Sequence, residues 1–135
     1  MSALTYPARF APGSDGRVLV EFVDLPRVAT DGRDDHEAME EAVDALGSDL
    51  SIRMSRREEI PAPSAAKRGQ RVISVPLWLA PKLALYLAMR DQRITNSELA
   101  RRLGVHETRF AVCSILRTLL SRWESRRRWL PWVNK

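Results

Sequence analysis

Acidic side chains are the first candidates for chemistry in this sequence, because carboxylates bind the metal ions with which many hydrolases cut phosphodiester bonds. Such a site needs several carboxylates that converge on two ions about 4 Å apart, usually from strand centres and a helix. Glu21 lies at the centre of a predicted strand, whereas its acidic neighbours in the sequence lie in turns, beside a proline or at a helix start. These neighbours are Asp15, Asp24, Asp31, Asp34 and Asp35. The pattern therefore argues against a metal-dependent nuclease, and we expect no catalytic activity.

Cysteine and histidine are too few to indicate a thiol or metal site. Cys113 is the only cysteine, which excludes an internal disulfide and every zinc pattern with several cysteines. The two histidines, His36 and His106, fall in different predicted elements, and no group of ligands surrounds His106. We therefore predict that the protein holds no metal and no cofactor.

Residues 95–110 show the spacing of a helix-turn-helix. Thr95 followed three residues later by Glu98 forms a capping box, a pattern with which many helices begin. Ala100 is small where two helices would cross closely, and Gly104, four residues on, can turn the chain. Apolar residues that would seal a small core are Leu99, Leu103, Val105 and Phe110. The alternative is a helical hairpin that does not bind DNA.

If this motif binds duplex DNA, its geometry assigns a role to each end. The N-terminus of the first helix would present Asn96 and Ser97 to a backbone phosphate. Arg101 and Arg102 would add charge that is independent of base sequence, unless they are simply solvated helix residues. The second, recognition helix would place its first residues against base edges in the major groove. Those residues are His106, Glu107, Thr108 and Arg109.

The distribution of charge divides the chain into two parts. The formal net charge of the 135 residues is +5. Residues 1–63 carry 13 acidic and 7 basic side chains, a net charge of −6, whereas residues 64–135 carry 4 and 15, a net charge of +11. This split predicts two modules, an acidic one that binds a cationic surface and a basic one that binds a polyanion. The alternative is a basic segment that only keeps the protein soluble.

The first 64 residues have the pattern of a small α+β domain. Alternating apolar and polar residues predict strands at Thr5–Ala11 and Arg17–Phe22, joined by a turn at Gly13–Gly16. The remaining elements are a short strand at Val28–Thr30, a helix capped by Asp34 and Glu37 that ends near Arg56, and an extended segment at Ile60–Ser64. Apolar residues at helical spacing are predicted to cover the sheet: Met39, Ala42, Val43, Leu46 and Leu50. The order is therefore β-β-β-α-β.

These motifs resemble those of HicB antitoxins. The matching segments are Tyr6-Pro7-Ala8, the Gly13–Gly16 turn, Val20–Pro26, Thr30-Asp31-Gly32, Glu37-Ala38, Ala42–Leu46 and Ile60–Ser64. The sequence departs from the family at Val23, which is usually proline, and at Arg27, which is usually glycine. The resemblance covers about the first 64 residues and implies a partial RNase H-like fold for them.

The resemblance also implies a function and two partners. A HicB antitoxin binds a small, basic, RNA-cleaving toxin of the HicA type and blocks it. The acidic residues expected to face that toxin are Asp24, Glu40, Glu41 and Asp44. The run from Ile94 to Thr108 resembles the phage-repressor type of helix-turn-helix, the usual C-terminal domain of two-domain HicB proteins. This implies repression of the protein's own operon through operator double-stranded DNA, and a homodimer or higher oligomer.

The predicted organisation is an antitoxin domain at residues 1–64, a linker at 65–74 and a helix-turn-helix domain at 75–135. The linker is inferred from the small, polar and basic run Ser64–Arg71. No stretch reaches 18 apolar residues, and the N-terminus lacks a basic start followed by a long apolar run. We therefore expect a cytoplasmic protein that does not associate with membranes.

After Arg109 the sequence departs from the helix-turn-helix pattern. Ala111 and Val112 occupy positions where exposed polar residues are expected, and residues 117–135 combine tryptophan and arginine with weak amphipathic order. One hypothesis is a shift of the coding frame near Arg109; another is a segment that lies on a membrane surface. Two other functional interpretations stay open: a stand-alone transcription regulator without a toxin, and a damaged antitoxin that no longer binds DNA.

Overall fold

The computed structural model describes residues 4–104 of the chain. Seven helices and strands follow one another in this part. They are β1 (Thr5–Pro12), β2 (Val18–Phe22), β3 (Ala29–Gly32), α1 (Asp35–Ser55), β4 (Gln70–Ser74), α2 (Ala80–Asp91) and α3 (Asn96–Leu103). The chain divides into two compact units, and the boundary falls between Ala84 and Leu85, inside α2.

The first unit contains a four-stranded antiparallel sheet in the order β3-β2-β1-β4. Phe10 lies opposite Val20 in the central pair, Tyr6 lies opposite Ile73, and Val20 lies opposite Thr30. Together with the helices, this sheet confirms the predicted α+β class. The partial RNase H-like assignment remains a prediction.

The strands form where apolar residues alternate with polar ones, because alternate side chains of a strand point to opposite faces of the sheet. The residues on one face are buried: Tyr6, Ala8, Val20, Phe22 and Ile73. The predicted turn between β1 and β2 is present. The N–H of Gly13 donates to the carbonyl of Arg17 at 2.6 Å, and Gly16 has a φ of +79°, which favours glycine.

Helix α1 begins at the predicted cap. The Asp34 carboxylate accepts a hydrogen bond from the backbone N–H of Glu37 at 2.9 Å. The Glu37 carboxylate reaches back to the backbone N–H of Arg33 at 2.6 Å, one residue before the cap. The predicted capping box therefore forms, with the second bond shifted by one residue.

The buried face of α1 agrees with the predicted one at Ala42, Leu46 and Leu50 and differs from it elsewhere. The residues it buries are Ala38, Ala42, Leu46, Gly47, Leu50 and Met54. Met39 and Val43, which were predicted to cover the sheet, are only half-buried and lie to one side. The small residue Ala38 lies instead against β3, where a Cβ on Gly32 would come within 2.2 Å of the Ala38 nitrogen. Close packing of backbone on backbone thus sets the orientation of the helix.

Gln70–Ser74, the second half of the linker predicted at 65–74, forms strand β4 and pairs with β1; the run Val72–Pro76 is also β-like in sequence. The extended segment Ile60–Ser64 is not a strand, because Pro61 and Pro63 have no N–H to donate to a neighbouring strand. The segment is held by other bonds. The Tyr6 hydroxyl donates to the Pro61 carbonyl at 2.8 Å. The order β-β-β-α-β is therefore correct, but β4 supplies its last strand.

The second unit contains the end of α2 and helix α3. The Thr95 hydroxyl caps α3 by accepting from the backbone N–H of Glu98 at 3.2 Å, as predicted. Gly104 ends the helix with a φ of +65°, the left-handed conformation common at helix C-termini. Ala100 is buried. The predicted recognition helix and the atypical tail after Arg109 lie outside the described residues, so the helix-turn-helix remains a prediction.

Among the helices of residues 4–104, none combines the length and apolar character needed to cross a membrane.

Candidate protein-binding groove

A groove of about 370 Å³ lies beside α1 in the first unit. Six residues line it: Met39, Glu40, Val43, Asp44, Pro76 and Trp78. Four of them come from two turns of α1, and two come from the loop that follows β4. The groove therefore combines an apolar surface with two carboxylates. Its volume is at the small end of the range of about 300–1,000 Å³ that is typical of ligand pockets.

Gly47 positions the loop that forms one side of the groove. A Cβ added at this residue would lie 2.8 Å from Cγ of Pro76 and 3.0 Å from Cζ2 of Trp78. Glycine inside a helix costs about 1 kcal/mol relative to alanine. At this position its missing side chain lets the proline and the indole approach the helix backbone. The close approach at Gly47 thus places an aromatic ring at the end of the groove.

The loop after β4 exposes unusually large apolar side chains. Trp78 is 44% exposed although part of its ring packs at Gly47, and Leu77 is 91% exposed. Trp78 also lines the groove, so the apolar surface of the groove continues onto this loop. This loop is therefore a candidate contact for a partner.

The two carboxylates of the groove are largely unneutralised. Glu40 and Asp44 are four residues apart on α1, so they lie on the same side of the helix. Within residues 4–104, the only ion pair of Glu40 is a long contact of 3.8 Å to the imidazole of exposed His36. Asp44 has no ion pair with any described residue. The negative charge of the groove is therefore available to a cationic partner.

The structure separates the four residues that were predicted to bind a toxin. Glu40 and Asp44 line the groove together. Glu41 is exposed on α1 but is not part of the groove lining. Asp24 instead accepts hydrogen bonds from Ser64, at 2.8 Å from the backbone N–H and 3.1 Å from the hydroxyl. Two of the four residues thus share one site, and Asp24 holds a neighbouring segment of the chain.

The apolar part of the groove was not predicted from the sequence. Helical spacing predicts Met39 and Val43 in the core, and the predicted domain division places Pro76 and Trp78 at the start of the second domain. The sequence carries one signal of this arrangement, which is a glycine in the middle of an otherwise helical pattern at Gly47. Such a glycine indicates close packing, but it does not identify the segment that packs on it.

The carboxylates that were considered for metal binding have other partners. Asp31 is paired with Arg17, and Asp35 accepts a hydrogen bond from Arg71 at 2.7 Å. The Arg71 hydrogen bond lowers the pKa of Asp35 below its usual value. Asp15 accepts from the backbone N–H of Arg17 in the turn between β1 and β2. Across residues 4–104, no group of three or more histidine, cysteine or acidic residues is placed to hold a metal ion.

Helix α3 is the second candidate site. Asn96 and Ser97 lie in its first turn, as predicted for a contact with phosphate. The Glu98 carboxylate does not complete the predicted capping box. It accepts from Arg101 at 2.7 Å and from Arg102 at 2.9 Å, and these hydrogen bonds, first that of Arg102 and then that of Arg101, lower the pKa of Glu98. Both arginines are therefore held by one carboxylate within α3, which offsets only one of their two positive charges.

The other predicted DNA contacts lie outside the described residues. These are His106, Glu107, Thr108 and Arg109. The described part of the second unit consequently contains four of the eight residues that were given a role in DNA binding: Asn96, Ser97, Arg101 and Arg102.

The fold and the groove define the class of this protein: a small α+β domain with an acidic, partly aromatic surface suited to binding another polypeptide. Comparison with known proteins then gives the family. Residues 5–84 match the family model described as the HicB-like antitoxin of bacterial toxin-antitoxin systems, so the chain belongs to the HicB-like antitoxin family. The match ends at residue 84, where the first compact unit also ends.

Curated relatives support the same assignment. The chain is 40% identical over 101 residues to Antitoxin HicB of Escherichia coli strain K12, an alignment that covers 75% of this chain and 73% of that protein. It is 36% identical over 102 residues to Antitoxin HicB 1 of Photorhabdus laumondii, covering 76% of this chain and 64% of the relative. It is also 32% identical over 91 residues to Antitoxin HicB of Pseudomonas fluorescens, an alignment that covers 67% of this chain and 62% of that protein.

Proposed function

We propose that this chain is an antitoxin that binds a HicA-type, RNA-cleaving toxin and neutralises it without catalysing a reaction. The observation that carries the proposal is the groove beside α1, where the carboxylates of Glu40 and Asp44 lie on an apolar surface and have no close cationic partner among residues 4–104. Glu41, exposed on the same helix, extends this acidic surface. Asp24, the fourth acidic residue expected to face the toxin, accepts a hydrogen bond from the backbone N–H of Ser64 and so holds that segment of the domain in place. Membership of the HicB-like antitoxin family supports the proposal.

The charge of the first half supports a basic protein as the partner. A protein that cleaves RNA must hold a polyanion and therefore carries a positive surface. Residues 1–63 have a net charge of −6. Complementary charge speeds association and suppresses incorrect partners more than it adds affinity. We accordingly expect the association rate with the toxin to fall steeply as salt is added.

The second half is proposed to repress the antitoxin's own operon by binding operator DNA in the cytoplasm. Asn96 and Ser97 would meet a phosphate at the N-terminus of α3, with Arg101 nearby on the same helix. The net charge of +11 on residues 64–135 supports binding to duplex DNA. Recognition of bases is assigned to His106, Glu107, Thr108 and Arg109. An operator with two half-sites would require a homodimer or a higher oligomer.

The antitoxin proposal is tested with the full chain and the protein encoded by the adjacent gene. We expect the two proteins to copurify. The RNA cleavage activity of the toxin should then fall linearly as antitoxin is added and should vanish at a fixed molar ratio, because neutralisation is stoichiometric. Copurification without inhibition, or inhibition that exceeds stoichiometric binding, would overturn the proposal.

The DNA proposal is tested by gel shift of the full chain on the DNA upstream of its own gene. We expect a specific complex at low salt that weakens at higher salt, since counterions are released on binding. A scrambled DNA of the same length is the control for specificity. Operator binding with no adjacent toxin would favour a stand-alone regulator. Toxin binding without operator binding would instead indicate an antitoxin that has lost autoregulation.

A further inference from the structure

We propose that the groove beside α1 binds one arginine side chain of the basic partner, with the guanidinium between the carboxylates of Glu40 and Asp44 and the indole of Trp78. This inference deepens the proposed function and depends on it only for the identity of the partner as the toxin. The chemistry of the groove itself specifies the side chain.

The lining of the groove matches both parts of an arginine side chain. Met39, Val43 and Pro76 form an apolar surface against which the three methylene groups of an arginine can lie. Glu40 and Asp44 lie on the same groove and accept hydrogen bonds only, as ionised carboxylates do. A guanidinium carries five donors and no acceptor, so it fits this set of groups.

Trp78 supplies the aromatic surface. Among aromatic side chains, tryptophan attracts a cation over its face most strongly. The same chain already uses this interaction at two places, since Arg71 lies 4.5 Å above the ring of Phe10 and Arg90 lies 5.6 Å from that of Tyr86. No arginine of residues 4–104 occupies the corresponding position over Trp78. Its half-exposed ring is therefore open to a cation from another molecule.

The paired carboxylates favour a cation between them. Like charges four residues apart on a helix repel one another, and a bound guanidinium would replace this repulsion with two attractions. A flat guanidinium can stack on an indole while its edge donates to a carboxylate, whereas the compact ammonium of lysine remains strongly hydrated. We therefore expect arginine to bind better than lysine.

The groove is tested directly with small probes. Nuclear magnetic resonance spectra of the full chain would follow the indole N–H of Trp78, which is assigned by its loss in Trp78→Phe. N-acetyl-arginine amide should shift this signal in a saturable manner at millimolar concentration, as expected for a single side chain. N-acetyl-lysine amide should shift it less. The neutral isostere N-acetyl-citrulline amide should not shift it.

The same groove is tested in the complex with a catalytically inactive form of the adjacent toxin. Glu40→Gln with Asp44→Asn removes two charges with little change in shape, and should weaken toxin affinity by about 10- to 100-fold through faster dissociation. Glu21→Gln with Glu59→Gln is the matched control, because both residues are exposed and lie outside the groove lining. The control should lower the association rate only. Unchanged urea unfolding of each variant shows that the fold is retained.

The outcomes separate this inference from the proposed function. If the toxin binds the groove variant as tightly as it binds the control variant, the arginine site is wrong and the antitoxin function stands. If the toxin does not bind the wild-type chain but the arginine probe still shifts Trp78, the function is wrong and the site stands. An equal shift with citrulline overturns the site, because recognition would then be apolar. A change in oligomeric state in the groove variant also overturns it, since a second copy would occupy the groove.

Discussion

The carboxylate of Asp24, in the bend just after β2, is hydrogen-bonded to Ser64, 40 residues further along the chain. It accepts hydrogen bonds from both the backbone N–H and the hydroxyl of Ser64. On the same segment, the Pro61 carbonyl accepts from the hydroxyl of Tyr6 on β1. These bonds hold residues 60–64 beside the sheet, although this segment does not pair with any of the four strands. The proline-rich run after α1 is therefore structural, and Asp24 is one of the residues that fix it.

We predict that Asp24→Ala lowers the free energy of unfolding by about 1 kcal/mol, the usual contribution of a hydrogen-bonding group of this kind. Urea unfolding of the full chain measures the change. Ser64→Ala removes only the hydroxyl bond and should cost less. In the double variant, the two effects should not add, because both substitutions remove the same contact. Weaker toxin binding by Asp24→Ala at unchanged stability would show instead that Asp24 contacts the toxin directly.

We predict that Gly32→Ala is strongly destabilising. The added Cβ would lie 2.2 Å from the nitrogen and 2.6 Å from the Cα of Ala38, and 2.8 Å from the carbonyl carbon of Glu37. All three atoms belong to the backbone of α1, so the helix must move away from β3. Overpacking of this kind costs about 1–3 kcal/mol or more. Thermal and urea unfolding should both show the loss.

Gly69→Ala is the comparison for this prediction. Gly69 has a φ of +83° and nothing within 4 Å of its added Cβ, so the substitution introduces backbone strain without a clash. That strain costs about 1–2 kcal/mol. A Gly32 variant that unfolds at the same urea concentration as the wild type would contradict the close packing of β3 and α1.

We predict that stability falls between about pH 10 and pH 12 because of Tyr6. Burial, reinforced by the negative charge of Asp24, raises the pKa of Tyr6 from 10.0 to about 12. In this range the unfolded chain has lost the phenolic proton while the folded chain keeps it, so rising pH favours unfolding. The contribution is fully present below about pH 10. Urea unfolding at several alkaline pH values measures the slope.

Tyr6→Phe isolates this contribution. The variant loses the 2.8 Å hydrogen bond to the Pro61 carbonyl, so it should be about 1 kcal/mol less stable at neutral pH. Lysine side chains also titrate at alkaline pH and affect both proteins alike. The difference in stability between wild type and variant should therefore shrink as the pH rises. A difference that stays constant would contradict the raised pKa.

Local patterns in the sequence were sufficient to predict the first three strands and the start of α1. Tyr6 and Ala8 alternate with polar residues, and Asp34 caps the helix through the N–H of Glu37 as predicted. Each of these signals is contained within a few neighbouring residues. The run Val72–Pro76 is β-like in sequence and overlaps β4, but no local pattern shows that this strand pairs with β1, about half the chain away. The basic residues Lys67, Arg68 and Arg71 before and within it are also typical of a linker.

The groove was likewise predictable only where it depends on residues that are close together in the sequence. Helical spacing alone places Glu40 and Asp44 on one side of α1, and both line the groove. The contribution of Pro76 and Trp78 depends on a tertiary contact at Gly47, about 30 residues earlier in the chain. Neither the charge nor the periodicity of α1 specifies which segment fills the space beside that glycine.

We predict that Glu98→Gln strengthens the binding of the full chain to its operator. The Glu98 carboxylate now holds the guanidinium groups of Arg101 and Arg102, and a neutral amide would release both to interact with phosphates. Each additional phosphate neutralised should steepen the slope of log affinity against log salt concentration by about 0.9. Gel shifts over a series of salt concentrations measure both the affinity and the slope.

Asp91→Asn is the matched control for this prediction, because it removes one negative charge from an exposed residue at the end of α2 that holds no arginine of the described part of the chain. It should raise affinity slightly and leave the salt slope unchanged, since the number of phosphate contacts stays the same. Glu98→Gln should raise the operator affinity more than Asp91→Asn does, and it should also steepen the salt slope. If the two variants behave alike, then the arginines of α3 do not contact DNA, and the positive charge that binds the operator must lie elsewhere in residues 64–135.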